Sequence, residues 1–557
     1  MLISHLIIAA VTFISPVHFE ALLAGNFGEP RPNHFHGGLD IKTQRQEGKA
    51  VYSIGDGFVC RVTKNIGGMG NAVYVRHPEG YTSVYGHLQR FAPGIEAIVR
   101  KYQYANQTTD VDINLQATDF PVTKGQLIAL SGDTGASMGP HLHLEIHQTD
   151  TWNLMDPLEF IPDIVSDSIA PEAHSIMAYP IDNKGVVCGQ NSKMRFDFQG
   201  NAISDTITAW GKVGFAVYAD DFMQGSENKY GIRYMTMLVD GKETFSSNVN
   251  NIPVECHKMV NVWGDYDYFS SSQQWFMRTF ILPGNKLPFI KADANNGIVD
   301  FNQQRDYNIT IILKDYFGNE SKYQFAVTAK PQQFVPPVPT DSIDFNMDDD
   351  NHAEMQGMSL VVPKGALLDN AKVKPSARRS KNNLSPQFIL ANKSVALYKN
   401  ASLSIQLDAD VENTDKLYIC ALRRDKRNEL EFDTDKIHYI KAVVDNGWVK
   451  GDVYDIGNAF MVDCDETPPD ITAVNTKAWE TDNVITLSLN DKQSGVKNFK
   501  GFVDGQFVLF DYVKKSSHII CRLCETPLEK NGQDRQLKLM AYDNVGNEAV
   551  YTTTIKY

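Results

Sequence analysis

The chain has 557 residues, of which 42 % are hydrophobic and 22 % charged, and its formal net charge is −14 at pH 7. This length suggests about four domains at ~150 residues each, with a composition ordinary for globular proteins. The negative charge disfavours nucleic acid or an anionic membrane surface as the main partner.

Residues 1–14 end in an apolar run, Leu6 to Ile14. The run is too short to span a bilayer as an ordinary helix. It resembles the apolar part of a secretory signal but has no Lys or Arg before it and no clear cleavage site. The other reading is a buried N-terminal strand. From Phe19 to Pro162 the pattern is β. Strand-like runs such as Phe58–Val62 and Ala72–His77 follow the turn signals Gly55-Asp56-Gly57 and Gly67-Gly68-Met69-Gly70. Ile95, Ile98, Val99 and Tyr102 have helical spacing and predict one short helix.

Two stretches of this region carry chemistry. His141, His143, Glu145 and His147 alternate with Leu142, Leu144 and Ile146. On a strand the first set shares one face and the second faces the core. About a hundred residues earlier stands His36-Gly37-Gly38-Leu39-Asp40. Its glycines argue against a helix and for a turn leading into a strand. Two imidazoles and one carboxylate are a common ligand set for a catalytic zinc, with a fourth position left for water. His34 is a rival ligand without the right spacing to Asp40. His77 ends an alternating run and reads as a hydrogen-bonded core histidine. His147 reads as the exposed end of its strand. Glu145 is a candidate acceptor for a ligand imidazole, and a surface or structural role is equally compatible.

His36-x-x-x-Asp40, then Tyr85-Gly86-His87-Leu88, then Gly132-x-x-Gly135-x-x-x-Gly139-Pro140-His141-Leu142-His143-x-Glu145, resembles the M23 peptidases, the lysostaphin and LytM-like family. The resemblance covers residues of roughly 25 to 160. It implies a small, mainly antiparallel β-sheet domain with a groove, a zinc ion, and hydrolysis of peptide bonds in peptidoglycan. Matched by position, it implies zinc ligands His36, Asp40 and His143, and catalytic histidines His141 and His87. One histidine would act as general base and the other would orient substrate or stabilise the oxyanion; their roles stay open here. Residues 94–121 stand as an insertion relative to that family, either walling the groove or elaborating the surface.

The rest of the chain shows a repeat. Asp167-Ser-Ile-Ala-Pro171 opens a segment ending in Asp315-Tyr-Phe-Gly318-Asn319, and Asp465-Glu-Thr-Pro-Pro469 opens another ending in Asp543-Asn-Val-Gly546-Asn547. Alternating strands between turn signals suggest β-sandwiches resembling bacterial immunoglobulin-like domains. The Asp-x-x-Gly-Asn turn is a candidate calcium site, and Asx-turn chemistry accounts for it with fewer assumptions. The expected organisation is an apolar start at 1–14, a peptidase domain at 15–165, β-sandwiches at 166–330 and 464–557, a Pro/Asp-rich linker at 331–350, and a β-rich domain at 351–463. The class is all-β. Lys372 to Lys381, with five basic residues, reads as a solvated loop. Seven cysteines cannot all pair internally, and the lone Cys521-x-x-Cys524 is a weak metal or redox motif.

The function expected from the motifs and the resemblance is an exported zinc metalloendopeptidase of the periplasm or cell envelope. It would cleave peptide cross-links of peptidoglycan, with the β-domains contacting a wall component or an envelope protein. The alternative is a non-catalytic envelope scaffold, or an activator of another wall hydrolase, that uses the same groove. A third reading is a peptidase acting on a protein substrate.

Overall fold

The computed structural model describes residues 13–334, 341–379, 384–391, 393–424, 432–513 and 516–557. Of the apolar run at the start only Phe13 and Ile14 are among them, and residues 335–340 of the Pro-rich segment lie outside. Strands dominate, as the alternating patterns predict. Among the described residues no helix is long and apolar enough to cross a membrane. The chain divides into two compact units, residues 1–97 with 112–339, and 98–111 with 340–557.

In the first unit, six antiparallel strands lie in the order Leu23–Gly25, Gly38–Lys42, His141–Gln148, Tyr81–Gly86, Gly70–Arg76 and Gly57–Ile66. Alternation decides which side is core. Leu39, Ile41, Leu142, Leu144, Ile146 and Tyr85 are fully buried. Burying an aliphatic side chain of this size contributes about 1.5–3 kcal/mol, so this apolar side holds the register. The register sets His143 opposite Asp40 on one side and opposite Gly86 on the other. Close approach of the strands requires the two glycines. A Cβ at Gly38 would sit 2.0 Å from the Leu144 carbonyl oxygen, and one at Gly37 would sit 2.3 Å from Glu145 Oε1.

Residues 172–329 of the same unit form one ten-stranded sheet. The long strand Ile207–Asp220 joins its parts. It pairs antiparallel with Glu172–Val187 and parallel with Glu320–Ala329. Its register slips between Pro180 and Gly185, opposite Gly211 at φ +75°. A Cβ at Gly211 would lie 1.9 Å from the Lys184 carbonyl oxygen. A slip of this kind bends a strand and lets it serve two layers.

The second unit contains two five-stranded sheets around Leu360, Leu403, Ile405, Ile419, Val449 and Phe460, and beyond them two four-stranded sheets spanning residues 470–556. The basic segment departs from the expected solvated loop. Ala371–Val373 and Ser376–Arg378 are strands, and Lys372 pairs with Asp344 at 2.9 Å. Residues 380 and 381 lie outside the described residues. The helix expected from Ile95 to Tyr102 spans Pro93–Asn106. Its outer turns belong to the second unit. There Tyr104 packs edge-on against Phe507 at 5.7 Å, and Thr109 Oγ1 donates to Phe510 O at 3.3 Å. All seven cysteines are free.

Candidate active site

The sheet brings His36, Asp40, His87, His141 and His143 together. Asp40 and the two strand histidines project from paired strands. His36 lies in the turn before Gly38–Lys42. His87 stands just beyond Tyr81–Gly86 at φ +58°, so a left-handed turn swings it over the sheet. Its ring centroid is 4.7 Å from that of His141 and 5.6 Å from that of His143.

Each imidazole is anchored through one nitrogen. His36 Nδ1 donates to Asn26 O at 2.6 Å, His87 Nδ1 to Thr134 O at 2.7 Å, His141 Nδ1 to Gly139 O at 2.8 Å, and His143 Nε2 to Glu145 Oε1 at 3.0 Å. Such an anchor selects the tautomer and leaves the other nitrogen as the free donor atom of the neutral ring. His36 Nε2 is 3.1 Å from His143 Nδ1 and 3.1 Å from Asp40 Oδ1. His143 Nδ1 is 2.8 Å from Asp40 Oδ1. A tetrahedral ion with bonds of about 2.0 Å spaces its donors about 3.3 Å apart. Two nitrogens and one carboxylate oxygen at these separations fit such an ion, and His36, Asp40 and His143 could hold it.

Charge points the same way. Burial opposes the Asp40 carboxylate, yet its interactions with His36, His141 and His143 hold it well below the usual 3.8. Burial also opposes the charged forms of Glu145 and His143. Hydrogen bonding overrides it: His143 and His147 together lower Glu145, and Asp40 first, then Glu145, raises His143. Two buried carboxylates therefore draw a positive charge into the middle of the donor set. His87 goes the other way. Burial, then repulsion from His143 and His141, lowers it to about 3 and keeps it neutral.

Several neighbours differ from their sequence reading. His147 is buried, not exposed. Its Nε2 donates to Glu145 Oε2 at 2.7 Å, and its ring stacks on Trp152 at 4.2 Å. Glu145 thus joins two histidines and orients His143. His77 is a core histidine as expected, with Nδ1 donating to Asp56 O at 2.8 Å and Nε2 2.7 Å from Ser83 Oγ. His34 is exposed, and its Nδ1 donates to Pro32 O at 3.0 Å, away from the donor set. Sequence reasoning missed Arg31. Its Nη2 donates to Asp40 Oδ2 at 2.8 Å, leaving Oδ1 to face the histidines. The hairpin of Pro30–Arg31 with His34–Phe35 returns it to the site. The only signal was a charged residue in a Pro- and Asn-containing turn before His36.

The model of peptidase family M23 matches residues 34–111, which include His36, Asp40 and His87, and the model of the Zu5-like domain matches residues 343–465. An uncharacterized metalloprotease of Haemophilus influenzae is 38 % identical over 120 residues, which are 22 % of this chain and 19 % of that protein. The peptidoglycan DD-endopeptidase ShyA of Vibrio cholerae is 33 % identical over 138 residues, 24 % of this chain and 26 % of that protein. The chain spans about a fifth to a quarter of the length of these curated relatives. Among solved structures, a zinc-containing peptidase from Vibrio cholerae is 29 % identical with a TM-score of 0.19, covering 24 % of this chain and 36 % of that one. The catalytic domain of lysostaphin from Staphylococcus simulans is 24 % identical with a TM-score of 0.18, covering 25 % and 88 %. The first domain of this chain is similar to peptidase family M23 over the matched residues.

Proposed function

We propose that the first domain is a zinc-dependent endopeptidase that cleaves peptide cross-links in bacterial peptidoglycan outside the cytoplasm. The observation that carries this reading is the convergence of His36 Nε2, His143 Nδ1 and Asp40 Oδ1 beside two further histidines. These three atoms would hold the zinc. When bound, the ion acts as a Lewis acid toward the scissile carbonyl and acidifies water. His141 is anchored on Gly139 O, which leaves Nε2 to take a proton from the attacking water and return it to the leaving amine nitrogen. His87, neutral and anchored on Thr134 O, offers Nε2 as an acceptor that orients the water or a substrate N–H. Arg31 and Glu145 fix the direction in which Asp40 and His143 present their free atoms. The substrate class rests on the relatives named as peptidoglycan DD-endopeptidases.

The test is digestion of purified cross-linked muropeptide dimers, followed chromatographically, with a Gly-rich protein peptide as the competing substrate. Conversion of dimers to monomers with the Gly-rich peptide left intact supports the reading. Cleavage of the Gly-rich peptide alone would transfer the activity to protein substrates. No cleavage of either by zinc-loaded protein would leave a binding scaffold.

A further inference from the structure

The first unit contains a second set of convergent acidic side chains that the active site does not use. Asp167 lies in the connection between the sheet that carries the active site and the sheet of residues 172–329. Asp221 directly follows Ile207–Asp220, and Asp315 directly follows Asp306–Lys314. One carboxylate oxygen from each lies within 4.8 Å of the others. The three line a cavity of about 30 Å³ together with Leu23, Phe27 and Tyr230, room for one water-sized guest.

Two of the three carboxylates are partly served by local donors. Asp167 Oδ1 accepts from Ile169 N at 3.0 Å, while both Asp315 oxygens accept from Asn319, Oδ1 from N at 2.8 Å and Oδ2 from Nδ2 at 2.5 Å. Asp221 differs. It is 6 % exposed, and its buried Oδ1 has no hydrogen-bond partner. A buried carboxylate oxygen left unpaired is costly, and a native fold normally gives it a partner, a water or an ion. Burial, then repulsion from Asp315 and Asp167, raises the Asp221 carboxyl to about 8. Arg233 is the basic side chain on the cavity wall; its Nη1 and Nη2 are taken by Asp156 and Glu159, and its buried Nε has no hydrogen-bond partner.

We propose that Asp167, Asp221 and Asp315 hold a calcium ion at the joint between the peptidase domain and the ten-stranded sheet that follows it. An all-oxygen donor set selects a hard cation over zinc. Oxygens bound to calcium at 2.3–2.6 Å lie up to about 5 Å apart, a span that accommodates this cluster. Three separate segments of chain supply the carboxylates, which suits the flexible coordination of calcium better than the strict octahedron of magnesium.

The joint connects to the active site. Asp221 and Tyr230 exchange backbone hydrogen bonds at 3.0 and 2.9 Å. Gly231, the next residue, exchanges two hydrogen bonds with the Asn26 side chain at 2.8 and 2.9 Å, and the Asn26 carbonyl receives the His36 Nδ1 proton. An ion at Asp221 therefore braces the loop that orients a proposed zinc ligand. The final domain repeats the arrangement with Asp465, Asp491 and Asp543. There backbone N–H groups of Thr467, Ser494, Gln493, Gly495 and Asn547 serve the carboxylates, so the proposal rests on the first cluster.

The test is calorimetric titration of the full chain, stripped of divalent ions on a chelating resin, with calcium chloride and separately with magnesium chloride. Thermal unfolding is followed with and without each ion. The expected result is one calcium bound at about 0.1–1 mM, the range of extracellular calcium modules, with a higher unfolding temperature and a weaker response to magnesium. Asp221→Asn should lose the calcium response while unfolding, without calcium, at or above the wild-type temperature. Asp167→Asn should weaken binding at least ~10-fold, and Asp491→Asn should leave it unchanged. No calcium binding up to 10-fold above that range would overturn the proposal, as would unchanged binding in folded Asp221→Asn. Equal magnesium binding would overturn the choice of ion.

Discussion

His143 and Asp40 face each other directly on neighbouring antiparallel strands, 103 residues apart in sequence, with Nδ1 and Oδ1 2.8 Å apart. The pairing makes the site a property of strand register. A one-residue slip of either strand moves its own group to the wrong face and separates the pair.

Glu145 receives hydrogen bonds from His143 Nε2 and His147 Nε2. In Glu145→Gln the amide nitrogen would face one of these N–H groups, and the anionic pull on His143 is lost. Zinc affinity should fall by ~10–100-fold, the usual range for an outer partner of a ligand histidine. Competition against a chromogenic chelator measures this. Affinity equal to wild type would show that His143 is oriented without Glu145.

Arg31→Ala removes the donor on Asp40 Oδ2. The carboxylate then rotates more freely, and zinc affinity should drop by about 10-fold with little change in the unfolding midpoint. The same chelator competition, paired with urea unfolding, separates the two effects. A large loss of stability with intact zinc binding would make Arg31 a structural residue only.

Gly38→Ala and Gly37→Ala should differ in kind. The first pushes against the Leu144 carbonyl and the second against the movable Glu145 carboxylate. The expected cost for Gly38→Ala is ~1–3 kcal/mol or more, because backbone must give way. Gly37→Ala should act mainly on metal binding. Urea denaturation of both variants tests the ranking, and equal stability would contradict the strand contact.

His77 links stability to pH. Burial lowers its pKa below 6.5, so the fold favours the neutral ring held on Asp56 O. Below about pH 6.5 the unfolded chain takes up a proton that the folded chain resists. The contribution of His77 is thus complete above that pH and is lost progressively as pH falls below it. The urea midpoint should drop between pH 7.5 and 5, and His77→Gln should shrink that drop. An equal drop in both proteins would place the acid sensitivity elsewhere.

Much of the site was legible because a strand has period two. The alternation from His141 to His147 assigned one face to chemistry and the other to core, and Leu142, Leu144 and Ile146 are buried accordingly. Burial of His147 was not legible, since it depends on Trp152 folding back over the strand end. His87 reaches the site through a left-handed turn that no periodicity marks, and Arg31 through a hairpin of two-residue strands. The repeated Asp-x-x-Gly-Asn turns were visible: Asp315 and Asp543 each accept from the backbone N–H four residues on, and Asp543 also forms an Asx turn with Val545 N. Asp221 carries no motif, and only the tertiary fold brings it to Asp315.

The central claim is that one pair of neighbouring histidines divides the labour, with His143 holding zinc and His141 moving a proton. Zinc content and peptidoglycan cleavage should be measured together in wild type, His141→Ala and His143→Ala. The account predicts about one zinc per chain in wild type and in His141→Ala, cleavage by wild type alone, and loss of zinc in His143→Ala. Absence of zinc from wild-type protein purified without chelators, or full cleavage by His141→Ala, would contradict it.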